Sequence, residues 1–195
     1  MESARNLMRI TRSARSAERT RAAVAPGANR RSGGQGLVEF ALVLTPLLLI
    51  LLGIIQFGFI FNSYVTLTNA AREAARSGSI YVYDRTLTKS ANDTARNAAI
   101  KTSLLGSMNL LSKVAPQFTT SGTWTQSGTT FTDGDLTIVY TIPTGITDSD
   151  PRTGQEIKVS AIYHQDLLIP LIAALLPRDA GGRLQLTGQV TMVVN

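Results

Sequence analysis

Residues 40–71 contain no Asp, Glu, Lys or Arg, and the first 22 of them read FALVLTPLLLILLGIIQFGFIF. Sixteen of those 22 are Leu, Ile, Val or Phe. At ~0.3–0.6 kcal/mol each on an insertion scale, they favour a bilayer by roughly 5–10 kcal/mol. A helix rises ~1.5 Å per residue, so such a segment covers about 33 Å, enough for a hydrocarbon core of ~30 Å. A buried helix of a soluble domain would be shorter or carry a polar stripe, and Gln56 is the sole strongly polar side chain in the run. The segment reads as a transmembrane helix. Pro46 removes one backbone donor, which membrane helices tolerate. Gly53 and Gly58 are five apart and do not form the four-residue dimerisation motif.

Charge is segregated around this helix. Residues 1–34 carry eight arginines against Glu2 and Glu18, which leaves eleven basic and eleven acidic residues in 35–195. The formal net charge of +6 therefore belongs to the N-terminal segment. Arginine directly before an apolar helix sets orientation, with the basic end cytoplasmic and the longer C-terminal part outside. A nucleic-acid-binding domain would spread its basic residues over a folded face instead, so no nucleic-acid partner is expected. The apolar stretch is too long for a cleaved secretory signal and lacks a small-residue cleavage site after it, so it reads as an anchor in the cell membrane. The chain has no cysteine, which excludes disulfides and thiolate metal sites.

The junction between basic segment and helix reads Gly33-Gly34-Gln35-Gly36-Leu37-Val38-Glu39-Phe40. A carboxylate at the doorway of an apolar helix is costly at the membrane centre, less so near the helix start, where the dipole favours an anion. Glu39 can therefore be read simply as a residue at headgroup level. The same residues resemble the processing site of type IV prepilins, which are cut after a glycine and carry a glutamate at the fifth mature position. The Glu39-Phe40 pair resembles the Flp/Tad (tight adherence) branch. The whole stretch is most similar to TadE-like pilus assembly proteins, type IVb pseudopilins. That similarity rests on Gly34 to Ala41, on the Leu-rich span with Pro46, and on Asn69-Ala70-Ala71-Arg72-Glu73-Ala74-Ala75-Arg76.

The resemblance implies a leader, residues 1–34, removed by a prepilin peptidase at Gly34, so that Gln35 becomes the free N-terminus. It implies a minor pilin or pseudopilin that helps to build an adhesive Flp/Tad pilus by packing against other pilus subunits and inner-membrane assembly proteins. Glu39, Pro46, Arg72, Glu73 and Arg76 are its expected assembly residues. Glu39 of one subunit would neutralise the amine of a neighbour. Only Gly34, among the glycines at 33, 34 and 36, places Glu39 fifth. The rival reading is an uncleaved, signal-anchored binding protein without a pilus role.

The expected architecture is α+β and pilin-like: a transmembrane and extended helix over 35–78, then an extracytoplasmic domain over 79–195 with a second helix and a small antiparallel sheet. Gly78 is a natural helix stop, and Asp84 is placed to cap a second helix from near Arg85. Leu87, Ala91, Ala95, Ala98, Thr102, Leu105 and Met108 recur at steps of three and four and predict its buried face, with Pro116 ending the element. Residues 117–134 are dense in Thr, Ser and Gly and read as weak strands or a loop. Three alternating runs, starting at Leu136, Ile157 and Leu184, predict strands. The apolar run 167–177 is too short to cross a bilayer and reads as a buried crossover, with docking onto partners or lipid as the alternative.

No catalytic chemistry is expected. Residues 148–156 hold two aspartates, but their spacing does not fit a calcium loop and reads as a turn between strands. His164 is the sole histidine, and although Asp166 is near it, no Gly-x-Ser-x-Gly elbow exists for a triad. Glu39 occupies the third glycine position of a dinucleotide fingerprint, which removes that motif. No cofactor or metal follows.

Overall fold

The computed structural model describes residues 32–109, 111, 124–148 and 151–195. The basic segment 1–31 and Pro116 lie outside the described residues. The described residues fall into two units, divided between Leu48 and Leu49. The first contributes the start of helix α1 (Ser32–Ser79), which holds Pro46 without interruption. Around this part Leu37, Val38, Phe40, Leu42, Val43 and Leu47 are all exposed. Thr45 turns its hydroxyl onto the Ala41 carbonyl at 2.8 Å, which satisfies it within the helix. The helix is long and apolar enough to cross a membrane.

The second unit comprises the rest of α1, helix α2 (Lys89–Met108), the short helix α3 (Pro170–Ala173) and five strands. These are β1 (Thr125–Ser127), β2 (Thr130–Asp133), β3 (Leu136–Thr141), β4 (Glu156–Gln165) and β5 (Leu184–Val193). They form one antiparallel meander in chain order. The fold is α+β, with five strands where alternation alone predicts three. β1 and β2 supply the difference, with Phe131 opposite Ile138 in the β2–β3 register.

Alternation puts one face of the sheet inside. Ile138 opposes Val159, Tyr140 opposes Ile157, and Leu136 opposes Ala161, so this face is built of close cross-strand pairs. Leu67, Ala70, Ala74 and Ala75 of α1 and Ile100, Leu104 and Met108 of α2 complete the core. Small residues let α1 approach the sheet closely. At Gly188 a Cβ would stand 2.9 Å from Leu67 Cγ, and at Gly78 it would stand 2.6 Å from Ile100 Cδ1. Gly78 is therefore required by crowding, not as a stop: α1 runs on to Ser79, whose hydroxyl bonds the Arg76 carbonyl at 2.9 Å.

Helix α2 differs from its predicted form in two respects. Its N-cap is Thr88, whose side chain accepts from the Ala91 N–H, and it starts at Lys89. Asp84 instead folds a tight turn, bonding the Thr86 N–H at 2.8 Å and the Thr86 hydroxyl. The buried face is Asn92, Asp93, Arg96, Asn97, Ile100, Leu104 and Met108. Of the predicted stripe only Met108 is buried, while Leu87, Ala98 and Thr102 are exposed. The reason is a polar network: Asp93, Arg96 and Asn97 meet Arg152 and Tyr140 far away in sequence, Asn92 bonds the preceding turn at Asp84, and none of the four needs apolar character.

Candidate functional site

Every residue singled out at the junction lies on α1. Because the helix begins at Ser32, Gly34, Gln35, Glu39 and Phe40 fall in its first three turns, all exposed. Glu39 is the eighth helical residue, beyond the first turn where the helix dipole acts. Its carboxylate accepts the Gln35 side-chain amide at 2.9 Å instead. Four-residue spacing places the two on one face, so Gln35 and the first acid of the helix act as one unit.

The second group lies on the same helix nearer its C-terminus. Arg72, Glu73 and Arg76 are exposed, while Ala70, Ala71, Ala74 and Ala75 on the other side are fully buried. Arg76 and Glu73 approach to 3.7 Å, a solvated pair worth only a few tenths of a kcal/mol. The structure thus pairs Gln35 with Glu39 and Glu73 with Arg76. Pro46 lies between these groups and joins neither.

Both groups fall within residues 34–76, which match the family described as TadE-like protein. This segment is similar to that family. The match lies wholly on α1 and leaves the sheet domain outside it. No match was found among curated proteins or among solved structures.

Two further polar arrangements escaped the sequence reading. The first lies between α2 and the sheet. Arg152, in the loop that leads into β4, is 1% exposed and grips Asp93 with two bonds, Nε to Oδ1 at 3.1 Å and Nη2 to Oδ2 at 2.9 Å. Its guanidinium stacks 4.1 Å over the Tyr140 ring, and the Tyr140 hydroxyl donates to Asn97 Oδ1 at 2.8 Å. Burial pushes the Tyr140 phenol up to about 12, against the opposing pull of Arg96. Residues 142–148 and 151–155 therefore do more than the plain turn expected at 148–156. Asp148 bonds Lys89 of α2 and lies 3.4 Å from Arg152. Ser149 and Asp150 lie outside the described residues. No sequence pattern signals a buried pair between positions 93 and 152.

The second arrangement is at the end of β4. His164 stands between two carboxylates, with Nε2 3.1 Å from Asp135 and Nδ1 against Asp179. Asp179 also receives the Arg183 backbone N–H, which chiefly holds its carboxyl below the ordinary range, helped by the His164 bond. This clamp ties the β2–β3 turn to the far side of the 167–177 crossover. Among the described residues no group of three or more His, Cys, Asp or Glu could hold a metal ion.

The crossover itself corrects the expectation of a buried segment. It forms α3, but Leu168, Leu171 and Leu175 are exposed, and Ala173 is its buried residue. Its backbone meets α1 at Gln56, whose Oε1 accepts the Leu168 N–H at 2.9 Å. The polar side chain in the middle of the apolar run is thus buried by the crossover and partly satisfied by it.

Proposed function

We propose that this protein is a minor pilin or pseudopilin of a Flp/Tad pilus, anchored by α1 and active through subunit packing, without catalysis. The observation that carries the reading is the TadE-like match over residues 34–76, which takes in both Gly34–Glu39 and the Arg72–Arg76 group. The basic segment lies in the cytoplasm and the sheet domain outside, in keeping with the eight arginines before α1. A prepilin peptidase cuts after Gly34, which removes the surplus positive charge and frees the amine of Gln35. Glu39, released from its intrahelical bond to Gln35, neutralises the amine of a neighbouring subunit and fixes register. Arg72, Glu73 and Arg76 are exposed and so available to adjoining pilus proteins. The filament serves adhesion.

The deciding experiment is N-terminal mass spectrometry of the protein from its native membrane, beside Gly34→Ala. A native chain that begins at Gln35, with the variant full length, supports the reading. An intact leader in a host that contains the peptidase would sink it and leave a signal-anchored binding protein.

A further inference from the structure

Contacts along α1 act as a depth ruler for the chain that crosses from β4 to β5. At the end of β4, Gln165 Oε1 accepts the Ser63 hydroxyl at 2.6 Å. Three residues on, the Leu168 N–H reaches Gln56. Ile172 Cδ1 then lies 3.8 Å from where a Cβ on Gly53 would stand. From Ser63 to Gly53 is ten helical residues, about 15 Å along the axis. The crossover descends along the helix to a level eight residues inside Phe61, about 12 Å into the apolar run 40–61. By Gly188 of β5 the chain is back beside Leu67.

We propose that residues 167–177 dip into one leaflet of the bilayer beside α1, with Leu168, Leu171 and Leu175 solvated by acyl chains. The inference rests on α1 crossing the membrane and goes beyond it, since it immerses a second segment. The run is LLIPLIAALLP, without one polar side chain. Leu168 is 70% exposed, Leu171 55% and Leu175 81%, although the sheet core lies available in the same unit. An apolar medium demands that backbone groups be paired internally. The Leu168 N–H is taken by Gln56, and those of Ala173, Ala174 and Leu175 by the carbonyls of Ile169, Pro170 and Ile172. Pro170 and Pro177 have no N–H to satisfy.

Polar groups gather where the segment leaves the apolar layer. Asp166 precedes it and Arg178 follows it. His164 and Asp179 close its neck, and Asp179 holds Arg183 at 3.6 Å. Such groups suit the headgroup layer, where arginine can reach phosphate and a carboxylate can keep water. Immersion also explains Gln56: a primary amide facing lipid is unfavourable, and the crossover covers it. A soluble crossover would have no reason to put three leucines outward and a proline-rich apolar run against the most apolar part of the chain.

The chain has no native cysteine, so single-cysteine variants of the full protein test this directly. Leu171→Cys, Leu175→Cys, Phe57→Cys and Thr187→Cys would each carry an environment-sensitive fluorophore in phosphatidylcholine–phosphatidylglycerol vesicles. Quenching would be compared between acyl-chain doxyl lipids and aqueous iodide. The expected result is doxyl quenching at 171 and 175 comparable to that at 57, and iodide quenching several-fold below that at 187. Iodide quenching at 171 and 175 equal to that at 187, with 57 still quenched by lipid, overturns the inference and leaves the span intact. Protection from both quenchers also overturns it, since protein would then cover the leucines. Loss of lipid quenching at 57 removes the span itself, and the inference falls with it.

Discussion

Helix α1 carries two regions that use the hydrophobic effect in opposite senses. Before Asn62 its large side chains point outward: Phe40, Leu51, Ile54, Phe57 and Phe59 are all exposed. Over residues 67–75 it turns small side chains inward, and Ala70, Ala71, Ala74 and Ala75 are fully buried. The first region contributes little to its own fold and requires an apolar medium or neighbouring helices. The second is one wall of a core and gains by closeness, because an alanine face lets the helix backbone approach the sheet. One helix can therefore be inserted and folded by separate forces, and damage to one need not disturb the other.

The sharpest break in that comparison is at the polar end of the core. Asp93→Ala deprives buried Arg152 of the carboxylate that bonds it twice and leaves it only the looser contact with Asp148 at 3.4 Å. Removal of one member of a buried pair costs roughly 3–5 kcal/mol. Thermal melting of the detergent-solubilised protein should fall accordingly, while membrane insertion, assayed by carbonate extraction, stays unchanged. Loss of insertion along with stability would show that the two regions are not independent. Asp93→Asn, which keeps the shape and one acceptor, should melt between the variant and the wild type.

What the sequence exposes and conceals follows the same division. The apolar run is legible because composition alone signals it, and β3, β4 and β5 because Leu136, Ile157 and Leu184 begin strict alternations. β1 and β2 are hidden because their exposed Thr and Ser positions look like loop, and Phe131 and Asp133 alone face in. The buried face of α2 is misread because apolar periodicity cannot detect an aspartate whose partner stands 59 positions away. The crossover is misread for a related reason. An apolar run of that length in a soluble domain is buried, but here it lies against a helix that itself faces outward. Of the candidate site, the junction shows as a charged residue entering an apolar helix. The bond from Gln35 to Glu39 is a consequence of helix pitch, since four residues bring the two onto one face.

A smaller effect tests the closeness of helix and sheet. Ala74→Leu forces three extra carbons into the core against α2 and the sheet, and overpacking of this kind costs about 1–3 kcal/mol. Leu51→Ala, at an exposed position in the apolar region, should leave the melting of the same unit within about 0.5 kcal/mol of wild type. Equal destabilisation by the two would erase the distinction between the regions.

Tyr140 separates the core from the apolar region by pH. Its folded phenol titrates at about 12, above the ordinary 10.0, because burial disfavours the phenolate. Its contribution is complete below pH 10 and is lost as pH rises toward 12, where the unfolded chain ionises first. The loss is on the order of 2 kcal/mol. Tyr140→Phe should flatten this alkaline limb, at a cost near neutral pH of about 1 kcal/mol for the bond to Asn97. An unchanged alkaline limb would place the pH sensitivity elsewhere.

The smallest effect is expected at the neck of the crossover, where Asp179→Asn weakens the clamp on His164 and Arg183. The Arg183 backbone N–H first, then the His164 side-chain bond and the charge of Arg183, hold the Asp179 carboxyl below its ordinary 3.8. A depressed carboxyl stabilises above its unfolded value, and that stabilisation is lost as pH falls through the folded value. Wild type and variant should therefore differ at neutral pH and converge under acid, the opposite limb from Tyr140. Melting curves taken from pH 7 downward read this as a narrowing gap. A gap that stays constant to the acid end would mean that Asp179 acts through its Arg183 backbone bond, which asparagine preserves in part, and not through its charge. In that case the neck is held by turn geometry instead of an ionic clamp.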